Sequence, residues 1–459
     1  MNGWRKPRLV VFAHLSNADF VTGAEKLTAF MLRELAAWYD CVLAAPGDGK
    51  IAADARAAGF RTVVLPLPLA PSFYLGLPHW RQELAAGMAG ESFRQLVRWL
   101  AAEEPAAVMA ATCVHPLPAV AARALGIPVV WTVMETMRET AHAPEIAGFI
   151  GAHADRIIGI SESVLAPFRQ PDMRAKSALL PPSWDEREMR PEEWPLQRDS
   201  MRRMLGVDGG QPLVGFIAST IYANKGFHHF MEATMAAAGL HPEARFLIVG
   251  NPVDEPYFEA GIGMAREAGL LDRYRWIRYE SRIERIYPAL DALVVPSLAA
   301  EGFGLTALEG MIFGKPVISY ASGGLAEIHA ATGSAEWAVP AGNAAALADA
   351  LIRLLDQPGR FAEIGARNRE AATAAYGIDA YRARLQAFLA SFRPESMPRA
   401  RLMRGSGPAV YLRQGIALRP FASRAALIAS GHRLEDVRQV PDEVIAALPV
   451  GPSIGGGTT

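Results

Sequence analysis

The chain has 459 residues, 51% of them hydrophobic, which is more apolar material than one core buries and predicts two to three domains. Lys and Arg number 46 against 47 Asp and Glu, so a formal net charge of -1 supplies no chain-wide field and excludes a general nucleic-acid or polyanion binder. Two cysteines, Cys41 and Cys113, cannot build a disulfide framework or a four-cysteine zinc site, which fits a reducing cytoplasm. The N-terminal stretch has charges and a short apolar run without a small-residue cleavage pattern, and reads as a first strand rather than a signal peptide. Alternation of β-branched runs then predicts strands over 9–14, 41–45, 62–65, 107–111, 129–133 and 156–160, separated by amphipathic helical stretches such as 24–38 and 93–102. Two long uncharged stretches, 62–80 and 105–122, are interrupted by prolines including Pro66, Pro68, Pro71, Pro116 and Pro118, so neither forms a bilayer-spanning helix. The proline-bracketed, charged segment 181–195 is read as a linker. Beyond it the rhythm restarts, with strands over 213–218, 245–249, 274–278, 292–295 and 317–319. The expected organisation is α/β, with Rossmann-like doubly wound parallel sheets in 1–180 and 196–393 facing across a cleft. Residues 394–459 stand apart, with eight arginines against five acids, as a basic extension that is partly helical over 422–448 or disordered. Its readings are a surface or partner-docking extension, or a basic contact with acidic lipid headgroups.

Ligands of open α/β sheets bind at the carboxyl ends of the strands, which confines the search to the loops after them. The richest is 292–311, a strand, a loop with Gly302 and Gly304, and a helix. Glycines allow close backbone approach, and the free N–H groups of a helix start form an anion site suited to phosphate. Glu301 and Glu309 bracket the turn, eight residues apart, and carboxylates beside a phosphate site usually hold hydroxyls. A structural reading competes for Glu309, because Thr306 to Glu309 fits a capping box. The loop also fits a loose dinucleotide pattern, but six residues separate the strand end at Val295 from Gly302, where that pattern needs a tight turn.

Glu301 to Glu309 with Gly302-Phe303-Gly304, followed by Gly314-Lys-Pro-Val-Ile318 and Ser322-Gly-Gly-Leu-Ala-Glu327, resembles the donor-site signature of family 4 retaining glycosyltransferases, which have the GT-B fold. Weaker matches occur at Thr22-Gly-Ala-Glu25, Ile158-Gly-Ile-Ser161 and Asn224-Lys-Gly226, and the resemblance covers residues 8–393. It implies an acceptor-side N-terminal domain and a donor domain holding a nucleotide diphosphate sugar, a UDP-, GDP- or ADP-sugar, with no cofactor. It further implies that Glu301 contacts the transferred sugar, that Glu309 contacts the ribose, and that the amides of Phe303, Gly304 and Leu305 take the distal phosphate. Lys225, one of only six lysines, then neutralises the departing diphosphate, and Gly23 allows phosphate and acceptor to approach beneath the sugar. Thr22 to Glu25 is also a capping box, so Glu25 is read as structural.

Two departures stand out. Ser219 and Thr220 occupy the positions where many relatives carry a second diphosphate cation, and Arg282 is the candidate replacement. Met134 replaces a histidine near the reacting sugar, and Met can neither donate a strong hydrogen bond nor transfer a proton; Glu135 or His115 would supply a polar group instead. His228 and His229 read as helix-face residues, not metal ligands, and no Asp-x-Asp pair occurs. A lysine and a helix start therefore take the electrostatic task without a metal. The acceptor expectation is a glycan or a lipid-linked glycan. The apolar stretch 65–80, with Phe73, Tyr74 and Trp80, has two readings, a lipid-facing lip or an internal loop packed on the core. An exposed lip places the protein peripherally at the inner membrane face. Base selection is assigned to contacts near 279–283. The rival readings are a GT-B sugar-nucleotide epimerase and a degenerate nucleotide-binding module without activity.

Overall fold

A computed structural model describes residues 6–18, 21–280, 282–397 and 401–455. The chain divides into two compact units. Unit 1 takes residues up to Ile160, Leu165–Leu179 and those from Leu385 onward, and unit 2 takes Ser161–Val164 and Leu180–Arg384.

Unit 1 is built on seven parallel strands: β1 Arg8–Phe12, β2 Asp40–Ala45, β3 Arg61–Val64, β4 Ala107–Ala111, β5 Val129–Val133, β6 Arg156–Gly159 and β7 Ser177–Leu179. Their order is β3-β2-β1-β4-β5-β6-β7, so the winding reverses between β1 and β4. The central strands are apolar at nearly every position because helices cover both faces of a parallel sheet; β4 and β5 are buried along their whole length. Six of these strands were legible in the alternation, whereas β7, three residues long, has too few side chains to show a period.

Unit 2 carries six parallel strands: β8 Leu213–Ile221, β9 Arg245–Pro252, β10 Tyr274–Ile277, β11 Ala292–Val295, β12 Val317–Tyr320 and β13 Ala338–Val339. The order β10-β9-β8-β11-β12-β13 is the doubly wound order, with its reversal between β8 and β11. Phe216 on β8 packs against Phe227 and Phe230 of the helix Phe227–Leu240, with ring centroids 5.6 and 5.3 Å away. Asp291, just before β11, receives Arg198 at 2.6 Å, Arg202 at 3.0 Å and the Leu213 N–H at 2.8 Å, which ties β8 to β11 at the end opposite the loops of interest.

Several expectations are corrected. The segment 181–195 is not a bare linker: it forms the helix Glu186–Met189 and the turn Pro191–Glu193 within unit 2, and Trp194 packs on Phe313 at 4.6 Å. Glu186, Arg187, Arg190 and Glu192 are exposed, which composition alone cannot distinguish from a connector. The stretch 65–80 is no lip. Phe73 and Trp80 are 0% and 3% exposed, and both rings meet Phe149 edge-on at about the same spacing, 5.5 and 5.4 Å, so the internal-loop reading holds.

The C-terminal extension does not stand apart. Four strands, β14 Leu402–Arg404, β15 Tyr411–Gln414, β16 Ala417–Pro420 and β17 Arg438–Gln439, form a sheet in the order β16-β15-β14-β17 within unit 1. The predicted helical stretch breaks at Gly431 and Pro441, leaving the short helices Arg424–Ala429 and Asp442–Ala447. Two of its arginines fasten it to the rest of unit 1: Arg413, buried, donates to the Leu125 carbonyl and Arg438 to that of Arg123, while Arg98 reaches back to the Ala447 carbonyl. No helix among the described residues is long and apolar enough to cross a membrane.

Candidate donor site in unit 2

The loops after β8, β11 and β12, three neighbouring strands, are packed together at the point where the sheet order reverses. After β8 the chain makes the turn Ala223–Lys225 and passes through Gly226 at φ 70°. A Cβ on Gly226 would lie 1.9 Å from the Pro296 carbonyl oxygen, so only glycine lets this turn close on the β11 loop. The Leu298 N–H donates to the Asn224 carbonyl at 2.8 Å and completes that seam. On the other side Gly324 N–H donates to the Glu301 carbonyl at 2.9 Å, and a Cβ on Gly324 would come within 2.3 Å of the Phe303 carbonyl oxygen.

This packing brings Lys225 and Glu301 into contact. The Lys225 ammonium donates to Glu301 Oε1 at 2.7 Å, and the Ser297 hydroxyl donates to the same oxygen at 2.7 Å. Burial would raise the Glu301 carboxyl, but Lys225 and Ser297 more than offset it and hold it below the ordinary carboxylate value. Glu301 therefore stays ionised at neutral pH, paired with the cation expected to meet phosphate.

The helix Leu305–Ile312 begins without a side-chain cap, its first preceding residue being Gly304. Among the described residues, the N–H groups of Phe303, Gly304 and Leu305 find no acceptor. An uncapped helix start of this kind, with its N–H groups unpartnered, is suited to an anion. The capping box at Thr306 to Glu309 is absent, because the helix starts one residue before Thr306. Glu309 instead accepts the Tyr287 hydroxyl at 2.7 Å. Burial, and then the Glu309 charge, push the Tyr287 phenol well above its ordinary value, so Tyr287 stays a donor. Its ring stacks on Phe313 at 5.1 Å.

The remaining predicted residues fall elsewhere. Arg282 stands just before a short helix and bonds Glu284 at 2.6 Å, with Glu193 at 3.5 Å. Within 279–283, Ser281 lies outside the described residues. Ser219 and Thr220 lie on β8, at a register shift against β9. Gly23, in unit 1, is the first residue of the helix Gly23–Leu35, whose Thr22 and Glu25 form the expected capping box; Asp19 and Phe20 just before it lie outside the described residues. Met134 is buried, and Glu135 accepts the backbone N–H groups of Cys113 at 3.1 Å and Met134 at 3.3 Å. His115 is buried, which pushes its imidazole down to about 3. His228 stacks on Tyr257, and His229 bonds the Tyr320 hydroxyl at 2.5 Å, as helix-face residues do. The sequence reading missed Ser297 and Tyr287. Ser297 had a signal, a hydroxyl four residues before Glu301 at a strand end; Tyr287, 22 residues before Glu309, had none.

Residues 197–372 match the family described as glycosyl transferases group 1, and residues 22–183 match the glycosyl transferase 4-like domain, which together take in most of the chain. The 2-deoxystreptamine glucosyltransferase of Streptomyces kanamyceticus is 31% identical over 172 residues, 37% of this chain and 43% of its own. The GDP-mannose-dependent monoacylated alpha-(1-6)-phosphatidylinositol monomannoside mannosyltransferase of Corynebacterium glutamicum is 27% identical over 281 residues, 59% of this chain and 70% of its own. The chain spans about a third to a half of the length of the first curated relatives it matches. Among solved structures, HepE of Anabaena in complex with UDP and glucose superposes with a TM-score of 0.68 at 17% identity, over 84% of this chain and 100% of that chain, which shows a shared fold. With both of its parallel-sheet units matched and the loop signature in place at the β8/β11 reversal, the chain belongs to the group 1 glycosyl transferases.

Proposed function

We propose that the protein is a retaining, metal-independent glycosyltransferase that moves a sugar from a nucleotide diphosphate sugar to a glycan or lipid-linked acceptor. The observation that carries this reading is the Lys225 and Glu301 pair beside the unpartnered N–H groups at the start of the helix Leu305–Ile312. Group by group, the distal phosphate takes those N–H groups and Lys225, the sugar hydroxyls take Glu301, and the ribose hydroxyls take Glu309. Donor binding then exchanges the Lys225 to Glu301 contact for one ionic contact to phosphate and one hydrogen bond to sugar. Catalysis is positioning and charge stabilisation of the leaving diphosphate as positive charge develops on the sugar. The relatives' printed names support a sugar-nucleotide donor and admit both small-molecule and lipid acceptors. The free, buried thiols of Cys41 and Cys113 support a cytoplasmic place.

Glu309→Ala is expected to weaken nucleoside diphosphate binding about ten- to a hundredfold, the worth of a hydrogen bond to a charged group. Calorimetric titration with UDP, GDP and ADP checks this; unchanged affinity removes Glu309 from the site. Donor hydrolysis and transfer are expected to persist undiminished in excess EDTA, and loss of turnover restored by Mg²⁺ or Mn²⁺ would sink the metal-independent reading. Retention is checked by the anomer that first appears when the sugar donor is hydrolysed in an NMR tube.

A further inference from the structure

The loop that follows β11 owes its shape to a segment far away in sequence. Residues Ser161–Val164 count with unit 2. The Ser161 hydroxyl donates to the Gly302 carbonyl at 2.6 Å and accepts the Val164 N–H at 3.1 Å, and Ser161 is 1% exposed. Glu327, on the helix Gly324–Ala331, accepts the N–H groups of Glu162 at 2.8 Å and Ser163 at 2.7 Å, together with the Ser163 hydroxyl. The conserved geometry of the peptide group makes these contacts informative about the loop.

A trans peptide is planar, and its C=O and N–H point in opposite directions. All peptide bonds among the described residues are trans. Fixing the Gly302 C=O on Ser161 therefore aims the Phe303 N–H away from Ser161, and fixing the Glu301 C=O on Gly324 aims the Gly302 N–H away from Gly324. Neither N–H meets an acceptor among the described residues. A two-residue run of peptides in a glycine loop is otherwise free to flip, and a flipped 302–303 peptide would present a carbonyl to an incoming phosphate in place of an N–H.

We infer that Ser161 is a positioning residue that sets the direction of the phosphate-binding Phe303 N–H, with Glu327 holding the segment that carries Ser161. This rests on the proposed reading of the loop as a diphosphate site. It assigns a ligand-directed purpose to a serine and a glutamate that touch no ligand themselves. A role confined to folding would lower the melting temperature and leave relative affinities alone. A role in aiming the amide lowers the affinity for phosphate-bearing ligands selectively.

The test uses the full chain with Ser161→Ala, Ser161→Thr and Glu327→Gln, titrated with UDP, GDP and ADP and with the parent nucleosides uridine, guanosine and adenosine. Ser161→Ala is expected to weaken binding of the preferred diphosphate about tenfold, the worth of one hydrogen bond to a charged group, while nucleoside affinity stays within about twofold. Ser161→Thr, which keeps the hydroxyl, is expected to restore most of the loss. Glu327→Gln, which keeps an acceptor, is expected to show the same selectivity at smaller size, and serves if Ser161→Ala does not fold. Equal affinity of wild type and Ser161→Ala for the diphosphate overturns the inference alone, as does an equal loss for diphosphate and nucleoside. A wild-type chain that binds no nucleoside diphosphate removes the donor-site reading and this inference with it.

Discussion

Lys225→Ala is expected to lower turnover by about 10²- to 10³-fold, the loss seen when one preorganised charge-stabilising group is removed from an active site. The side chain is 26% exposed and its ion-pair partner 23%, so the pair is partly buried, and removing one partner is expected to lower stability as well, which a thermal melt reads beside the rate. The backbone of the turn does not depend on the side chain, since Gly226 and Pro296 fix it by contact. On the proposed reading, what the variant loses is the cation that faces the departing diphosphate. It also loses the group that holds Glu301 ionised. In the wild type the Glu301 carboxyl is depressed despite burial, and its contribution to stability is present above the unfolded carboxylate value and lost as pH falls through the lower folded one. Without Lys225 the strongest of the groups that oppose burial is gone, so the Glu301 carboxyl is expected to rise. The acid limb of the rate profile for donor hydrolysis is therefore expected to move to higher pH in Lys225→Ala. Steady-state rates measured across acid and neutral pH check both parts. A variant with wild-type turnover, or an acid limb that moves down, contradicts the assignment.

Asp291→Ala is the variant expected to cost the most stability, about 3–5 kcal/mol, because it strips the partner from a buried cation. Arg202, with its side chain 5% exposed, would keep only carbonyl partners, and the Leu213 N–H at the head of β8 would lose its acceptor. Both β8 and β11 would loosen, and these are the strands whose far ends carry Lys225 and Glu301. Asp291→Asn keeps an oxygen for Leu213 but not the charge, and is expected to fall between wild type and Asp291→Ala. Denaturant titration and amide exchange in β8 and β11 measure the effect; exchange that speeds up in β1 and β4 but not in β8 and β11 contradicts it.

The reasons why parts of this molecule were legible are physical. Buried parallel strands are nearly continuous apolar runs, so β1, β4, β5, β8 and β11 announce themselves, and the short edge strands β7 and β13 do not. The Glu301 to Leu305 loop was legible because its chemistry is local, a glycine turn opening directly into a helix. The partners of that loop were not. Ser161 and Gly302 are 141 residues apart, and Tyr287 meets Glu309 across 22, distances over which no periodicity operates. The capping box at Glu309 failed because local patterns assume a helix start, and the start here is set by Gly304 one residue before Leu305. The tail misled for a related reason. Arginines counted as surface charge turned out to donate to main-chain carbonyls of unit 1, a use that composition cannot separate from solvation.

The most direct test of the central claim is calorimetric binding of UDP, GDP and ADP, and of their sugar derivatives, to the wild-type chain and to Lys225→Ala, with the parent nucleosides as controls. The account predicts that at least one diphosphate binds the wild type, that its nucleoside binds much more weakly, and that Lys225→Ala removes most of the difference. Absence of binding by every diphosphate, or a diphosphate affinity indifferent to Lys225, would contradict it.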